Sequence, residues 1–238
     1  MAKSPQDRFT TADAMATALE GSLTPIPAPA PAPIPERRIP QNPSAGTISG
    51  PPPARPAQVP PVEAGAPAGG FWKSTDGGLT WVTSTDDLPQ IGVSGIAVDA
   101  SNTNIIYIAT GDDDAGDSFS VGVMKSIDGG LTWNVTGLNP NNFPAIDSMN
   151  DIYINPLNPN MLWVATNRGV YRSTDAGTSW TVGAGTSNIN IRDIKVKPND
   201  PSVIYAASSN RFYRSTNSGA SFTQIFGGLP FNGVSRYV

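Results

Sequence analysis

From residue 71 onward, short runs of β-branched and aromatic residues alternate with clusters of Gly, Asn, Asp and Pro. Three blocks align with one another without gaps, and each predicts a strand, a turn and a second strand. They are residues 96–110, 152–166 and 194–208. A short apolar segment after each block predicts a third strand, and a Trp- or Phe-bearing segment predicts a fourth. The pattern therefore predicts a repeated unit of four antiparallel strands.

The turn between the predicted third and fourth strands occurs four times, in copies that start 52, 47 and 42 residues apart. Three copies read Ser-x-Asp-x-Gly-x-Thr/Ser-Trp, and the last carries Asn and Phe in place of Asp and Trp. A Ser hydroxyl and a short carboxylate can bond backbone N–H groups, Gly can take a positive φ, and the aromatic residue anchors the next strand. We predict a structural role for Ser74, Asp76, Gly78, Trp81, Ser126, Asp128, Gly130, Trp133, Ser173, Asp175, Gly177, Trp180, Ser215, Asn217, Gly219 and Phe222.

This motif resembles the Asp-box (BNR) repeats of sialidases, sortilin-type receptors, xyloglucan hydrolases and many secreted bacterial surface proteins. The resemblance covers residues 71–238 and implies an all-β fold, a β-propeller of four-stranded antiparallel blades. In those families the Asp-box is a structural turn on the face opposite the ligand site. The resemblance favours an extracytoplasmic module, although the sequence leaves the compartment open.

Counting the predicted strands gives an incomplete ring of about 3.5 to 4 blades. Residues 71–84 supply the last two strands of one blade, three full blades follow, and residues 231–238 look like the first strand of another. An open arc leaves unpaired strand edges at both ends. We therefore expect either a fragment of a larger protein or self-association through the open blade edges.

Two insertions interrupt the repeat, one between the second and third strands and one between a fourth strand and the next first strand. In a four-stranded blade both emerge on the face opposite the repeated turns, where a protein or glycan ligand is expected to bind. The first insertion is acidic, and its carboxylates predict either a calcium site, a glycosidase carboxylate pair, or a solvated loop. The first insertion spans residues 111–119 and the second lies near residues 139–144, and each contains a Phe, Phe119 and Phe143. These rings predict either stacking on a ligand or packing between blades. The candidate metal ligands are Asp112, Asp114 and Asp117, and the candidate ligand-face residues are Asp113, Phe119, Asn141, Asn142 and Phe143.

The first 70 residues have a different composition. Residues 1–22 predict a short capped helix, and their sequence resembles the last helices of a bacterial serine/threonine protein kinase domain. The parts of that family that bind ATP and catalyse transfer have no match here. Residues 23–70 are rich in Pro and Ala and predict a disordered polyproline linker. A PxxP core beside Arg55 would also suit a proline-recognising module, but a spacer is the simpler interpretation.

Composition narrows the function classes further. The 238 residues contain no His and no Cys, which excludes disulfides, thiol nucleophiles, His-based triads and the usual zinc sites. A net charge of −4 argues against a nucleic-acid partner. The chain has no apolar run long enough for a membrane span and no signal-peptide pattern. The sequence predicts a non-catalytic interaction or sensor module on a Pro-rich tether, without a cofactor unless calcium binds. The alternative is the opening blades of a secreted glycoside hydrolase.

Overall fold

The computed structural model describes residues 60–66, 69–89, 92–111 and 119–227. These residues form fifteen strands in four antiparallel sheets, and none of them lies in a helix. No helix that could cross a membrane occurs in this described part. The strands are β1 Val62–Ala66, β2 Gly70–Ser74, β3 Val82–Thr83, β4 Val93–Val98, β5 Ile106–Thr110, β6 Val123–Ser126, β7 Asn134–Val135, β8 Met149–Ile154, β9 Leu162–Thr166, β10 Gly169–Ser173, β11 Thr181–Val182, β12 Ile191–Val196, β13 Ile204–Ser208, β14 Phe212–Ser215 and β15 Thr223–Ile225.

The four sheets follow one another along the chain as the blades of a partial β-propeller, which confirms the predicted fold class. Blade 1 is β1–β3, blade 2 is β4–β7, blade 3 is β8–β11 and blade 4 is β12–β15. In blades 2 to 4 the four strands pair in sequence order. The first strands of neighbouring blades, β4, β8 and β12, lie beside one another as the inner strands of the arc.

Strand β1 differs from the prediction, because residues 62–66 lie inside the segment predicted to be a linker. Val62 pairs with Ser74, the first residue of the repeated turn, just as Ile106 pairs with Ser126 in blade 2. Strand β1 therefore occupies the second-strand position, and blade 1 has three strands instead of the predicted two. Its sequence, Val-Glu-Ala-Gly-Ala, carries little strand signal of its own. It pairs because β2 offers an open edge. The predicted helix at 1–22, linker residues 23–59 and the strand at 231–238 lie outside the described residues.

The core lies between the blades. The second strands β5 and β9 are buried at all five positions, because each is covered on both faces by neighbouring blades. Tyr107, Trp163 and Trp180 are buried in the apolar cores between blades. Each fully buried large apolar side chain contributes about 1.5–3 kcal/mol. Trp81 is 38% exposed, and no blade precedes it in the described structure.

The repeated turn has the predicted hydrogen bonds. In the first copy the Ser74 hydroxyl donates to Asp76 at 2.8 Å and accepts from the Gly78 N–H at 2.8 Å. Asp76 also accepts from the backbone N–H of Thr80 at 2.9 Å and from its hydroxyl at 2.6 Å. These bonds from Thr80 hold the pKa of Asp76 well below its usual range.

The fourth copy keeps the same turn although Asn217 replaces the carboxylate. Its side-chain oxygen accepts from the Ser221 N–H at 3.0 Å, while its amide nitrogen donates to the Ser221 hydroxyl at 2.8 Å. The hydroxyl therefore acts as acceptor here and as donor in the other copies. Ala176 and Ser218 take positive φ values of 57° and 55° at the position that Gly77 and Gly129 occupy in the first two copies.

Candidate functional site

The repeated turns and the insertions lie at opposite ends of the blades, as the sequence predicted. In blades 2 to 4, each turn bonds the loop between the first and second strands of its own blade, for example through Gly129 N–H and Asn104 O at 2.9 Å. At the other end, the loops that carry the two insertions contact each other through Ser120 N–H and Asp147 O, also at 2.9 Å. We call this second end, formed by residues 119–122, 136–148, 167–168, 183–190 and 208–211, the insertion face.

Phe119 stands on this face with 73% of its surface exposed. The chain beside it is fixed, because Thr110 donates from its hydroxyl to Gly122 O at 2.6 Å and accepts from the Val121 N–H at 3.0 Å. Both Thr110 and Ser120 are buried. An apolar ring is thus held at a rigid base and presented to solvent. The neighbouring carboxylates Asp112, Asp113, Asp114 and Asp117 lie outside the described residues.

Polar side chains continue the insertion face across blade 3. The Asn167 amide donates to Asp147 Oδ2 at 3.3 Å and accepts from its N–H at 3.2 Å. Arg168 donates from Nε to Ala145 O at 2.8 Å. These bonds fix the Asn167–Arg168 turn against the second insertion, and place one guanidinium group at the surface beside it.

A shallow pocket of about 240 Å³ lies on the same face in blade 4. It is lined by the loop before β12 and the turn after β13, and its lining is mostly amide, hydroxyl and guanidinium groups. Asn150 of blade 3 donates to Asn190 Oδ1 at 3.1 Å and to Ile191 O at 2.6 Å, which ties this loop to the previous blade. The lining residues are Asn188, Ile189, Asn190, Ser208, Ser209, Asn210 and Arg211.

The candidate residues of the second insertion lie in different environments. Phe143 packs edge-on against Tyr171, with ring centroids 5.3 Å apart, and joins the core between blades 2 and 3. This is the packing role, one of the two roles predicted for it. Asn141 is exposed, and Asn142 lines a groove of about 410 Å³ at the seam between blades 2 and 3. The described part of the chain contains no group of three or more carboxylates that could hold a metal ion.

The inner strands hold a charged cluster that the sequence reasoning missed. It consists of Asp151 on β8 with Asp193 and Lys195 on β12, and we call it the inner-strand cluster. Lys195 Nζ lies 3.4 Å from Asp151 Oδ2 and also forms an ion pair with Asp193. Each carboxylate sits at a β-bulge, a feature that often redirects a side chain. The repeat alignment contains the signal, because Gly95, Asp151 and Asp193 occupy equivalent positions.

Burial raises the pKa of Asp151 to about 6, although the charge of Lys195 acts to lower it. Asp193 adds to the rise because it brings a second carboxylate close to the first. The backbone N–H groups of Ile152 and Ile194 also bond Asp151, at 2.8 and 3.4 Å. The cluster is thus a bonded link between the inner strands of blades 3 and 4.

No protein-family model matches this chain, and no curated protein matches it. Solved structures do resemble it. An ancestral GH74 enzyme shares 23% identity at a TM-score of 0.58, covering 74% of this chain and 24% of that one. The GH74 xyloglucanase from Xanthomonas campestris shares 19% identity at 0.54, covering 71% and 29%. YCF48 bound to D1 peptide shares 18% identity at 0.50, covering 68% and 48%.

These similarities show the fold alone. The chain spans about a quarter of the length of the two GH74 chains and about half of YCF48. Together with its own sheets, they identify the described part of this chain as a partial β-propeller.

Proposed function

We propose that this chain is a non-catalytic propeller module that binds a peptide segment of a partner protein on its insertion face. The observation that carries the proposal is Phe119, an exposed ring on a rigid base, on the same face as Asn167, Arg168 and the blade 4 pocket. An aromatic anchor with polar groups around it is the usual composition of a binding site on a rigid scaffold.

The chemistry of this surface suits a peptide. Amide side chains such as Asn210 both donate and accept hydrogen bonds, as a peptide backbone requires. Arg168 and Arg211 can bond carbonyl or carboxylate oxygens. The acidic residues 112–117 precede Phe119 in the sequence, so we expect a bound peptide to carry Lys or Arg. The structure of YCF48 bound to D1 peptide supports the proposal, because a protein of similar fold binds a peptide.

The carboxylates that the structure describes argue against glycoside hydrolysis, the alternative that the sequence left open. A retaining glycosidase needs two carboxyl groups about 5–5.5 Å apart on either side of the bond, and an inverting one needs about 6.5–9.5 Å. Among the described residues, the close pair Asp151 and Asp193 is bridged by Lys195, and the backbone N–H groups of Ile152 and Ile194 also bond Asp151. These contacts leave the pair no arrangement in which a sugar ring lies between its members.

The N-terminal predictions give the module a context. A kinase-like helix at residues 1–22 and a Pro-rich linker would tether the propeller to a larger bacterial protein, either a kinase-linked sensor or a surface protein. Reading the gene upstream of Met1 tests this part of the proposal. A kinase Gly-rich loop supports a sensor, whereas a signal peptide supports a secreted protein.

The binding test uses the full chain and a random peptide library displayed on phage. Peptides selected on the protein are synthesised, and their affinity is measured by calorimetry. We expect basic peptides whose affinity falls about tenfold or more with Phe119→Ala. Leu157→Ala is the matched control, because Leu157 is 75% exposed on the opposite face. Equal losses in both variants, or no selected peptide, would contradict the proposed site.

The catalytic alternative is tested with xyloglucan as substrate. We expect no release of reducing ends by the full chain over a prolonged incubation. Release that disappears in Asp151→Asn or Asp193→Asn would replace the binding proposal with the hydrolase interpretation.

A further inference from the structure

Contacts between successive blades converge on one backbone position of the repeated turn, the third residue after its Ser. A side chain of each preceding blade donates to this carbonyl. Lys73 bonds Gly129 O at 2.7 Å, Tyr107 bonds Ala176 O at 3.2 Å, and Trp163 bonds Ser218 O at 2.9 Å. Burial raises the pKa of Tyr107 to about 12, so its hydroxyl stays protonated and can donate. The equivalent carbonyl therefore accepts a hydrogen bond at each of the three contacts between successive blades.

The donors come from two positions that recur in the blades. Tyr107 and Trp163 are each the second residue of a second strand, whereas Lys73 directly precedes the Ser of the turn. These two positions face each other across the sheet. Tyr107 lies opposite Lys125, and Lys125 also reaches Ala176 O at 3.4 Å. Lys125 Nζ lies 5.2 Å from the centre of the Tyr107 ring. An aromatic residue and a cation thus lie on the surface that a blade presents to the next blade along the chain. We call this the outgoing surface.

Blade 4 has this outgoing surface but no blade beyond it in the described structure. Tyr205 on β13 lies opposite Arg214 on β14, in the register of Tyr107 and Lys125. Tyr205 is half-buried and stacks on Phe212 at 5.8 Å, while Arg214 is exposed. Within the part of the chain that the structure describes, no hydrogen bond takes either side chain to another blade.

The incoming surface of a blade is the turn that it presents to the preceding blade. In blade 1 this turn is residues 74–81. A Cβ added at Gly130, Gly177 or Gly219 would meet an aromatic side chain of the preceding blade. At Gly78, the equivalent position, the atom within 4 Å belongs to Trp81 of the same turn. The first turn therefore has room for an aromatic ring at the place where the other three turns are covered.

We propose that two copies of this chain associate head to tail, with the Tyr205–Arg214 surface of one copy docked on the 74–81 turn of the other. Tyr205 and Arg214 would donate to the Gly77 carbonyl of the second copy, as Tyr107 and Lys125 do to Ala176. The outgoing and incoming surfaces differ, so the contact is heterologous and closes only as a ring. Two copies bring about eight blades, within the usual range for propellers.

Sedimentation equilibrium of the full chain tests the proposal. We expect a mass of about 50 kDa, twice the 24.8 kDa of one chain, at micromolar concentration. Arg214→Glu removes the outgoing cation, and Gly78→Asn fills the incoming site with a residue that tolerates positive φ. Each is expected to weaken association about tenfold or more. Arg211→Glu, on an exposed residue of the insertion face in the same blade, is the matched control.

Mixing the two variants distinguishes this arrangement from a symmetric dimer. Each variant keeps one intact surface, so a head-to-tail contact predicts that the mixture associates more tightly than either variant alone. Near-ultraviolet circular dichroism confirms that each variant is folded. A wild-type chain that stays at 24.8 kDa, or variants that are folded and associate like the wild type, would overturn the proposal.

Discussion

Replacing Asp151 with Asn tests the inner-strand cluster, because it removes a carboxylate whose pKa burial raises to about 6. An ordinary Asp ionises near 3.8. The folded chain therefore holds this proton more tightly than the unfolded chain does. The tighter proton binding stabilises the folded chain. This contribution to the free energy of unfolding is fully present below about pH 3.8, and it is lost as the pH rises through about 6.

The magnitude follows from the two pKa values. Each tenfold change in the ionisation constant corresponds to about 1.4 kcal/mol, so the difference between 3.8 and about 6 corresponds to roughly 3 kcal/mol. The Asp151 side chain is 24% exposed, so solvent screens it little. We expect the free energy of unfolding of the wild type to fall relative to Asp151→Asn by up to this amount between about pH 4 and about pH 7.5.

The assay is urea unfolding followed by tryptophan fluorescence, at several pH values across this range. Asp200→Asn is the control, because hydrogen bonds from Ser202 and Lys197 lower the pKa of Asp200. Its stabilising effect is present above the unfolded pKa and is lost only in acid, so the sign is opposite. Wild-type and Asp151→Asn curves that run parallel across the range would refute the reasoning.

Three further substitutions test contacts within and between blades, each by the free energy of unfolding in urea. Ser126→Ala leaves a buried turn N–H without its acceptor, so we expect a loss of about 1–3 kcal/mol, whereas the exposed Ser187→Ala is expected to be neutral. Gly137→Ala would place a Cβ 2.1 Å from a backbone oxygen of blade 3. We expect a loss of about 1–3 kcal/mol or more, against no loss for Gly227→Ala, which has nothing within 4 Å. Trp163→Phe removes the indole N–H that bonds blade 4, with an expected loss of at least about 2 kcal/mol. Unchanged stability in any of the three main variants would contradict the contact assigned to that side chain.

Much of the fold could be predicted because its signals are local. The spacing of Ser, Asp and Gly in each turn determines which backbone groups the side chains can reach, so the hydrogen bonds of Ser74 and Asp76 could be expected from the sequence. The gapless repeats fixed the strand order, and therefore the face on which Phe119 emerges. Strand β1 carries no such signal, because its small residues favour no strand by themselves.

The site was predictable only in part, for a related reason. The sequence alone established a four-stranded repeat, its turn and two insertions, since these depend on neighbours along the chain. Tertiary structure decided what distant residues do together. It brought Asp151 to Lys195 across two blades, packed Phe143 against the core between blades 2 and 3, and gave β1 its partner. Contacts of this kind form only when blades pack, because burial and hydrogen-bond geometry depend on residues that are far apart in sequence.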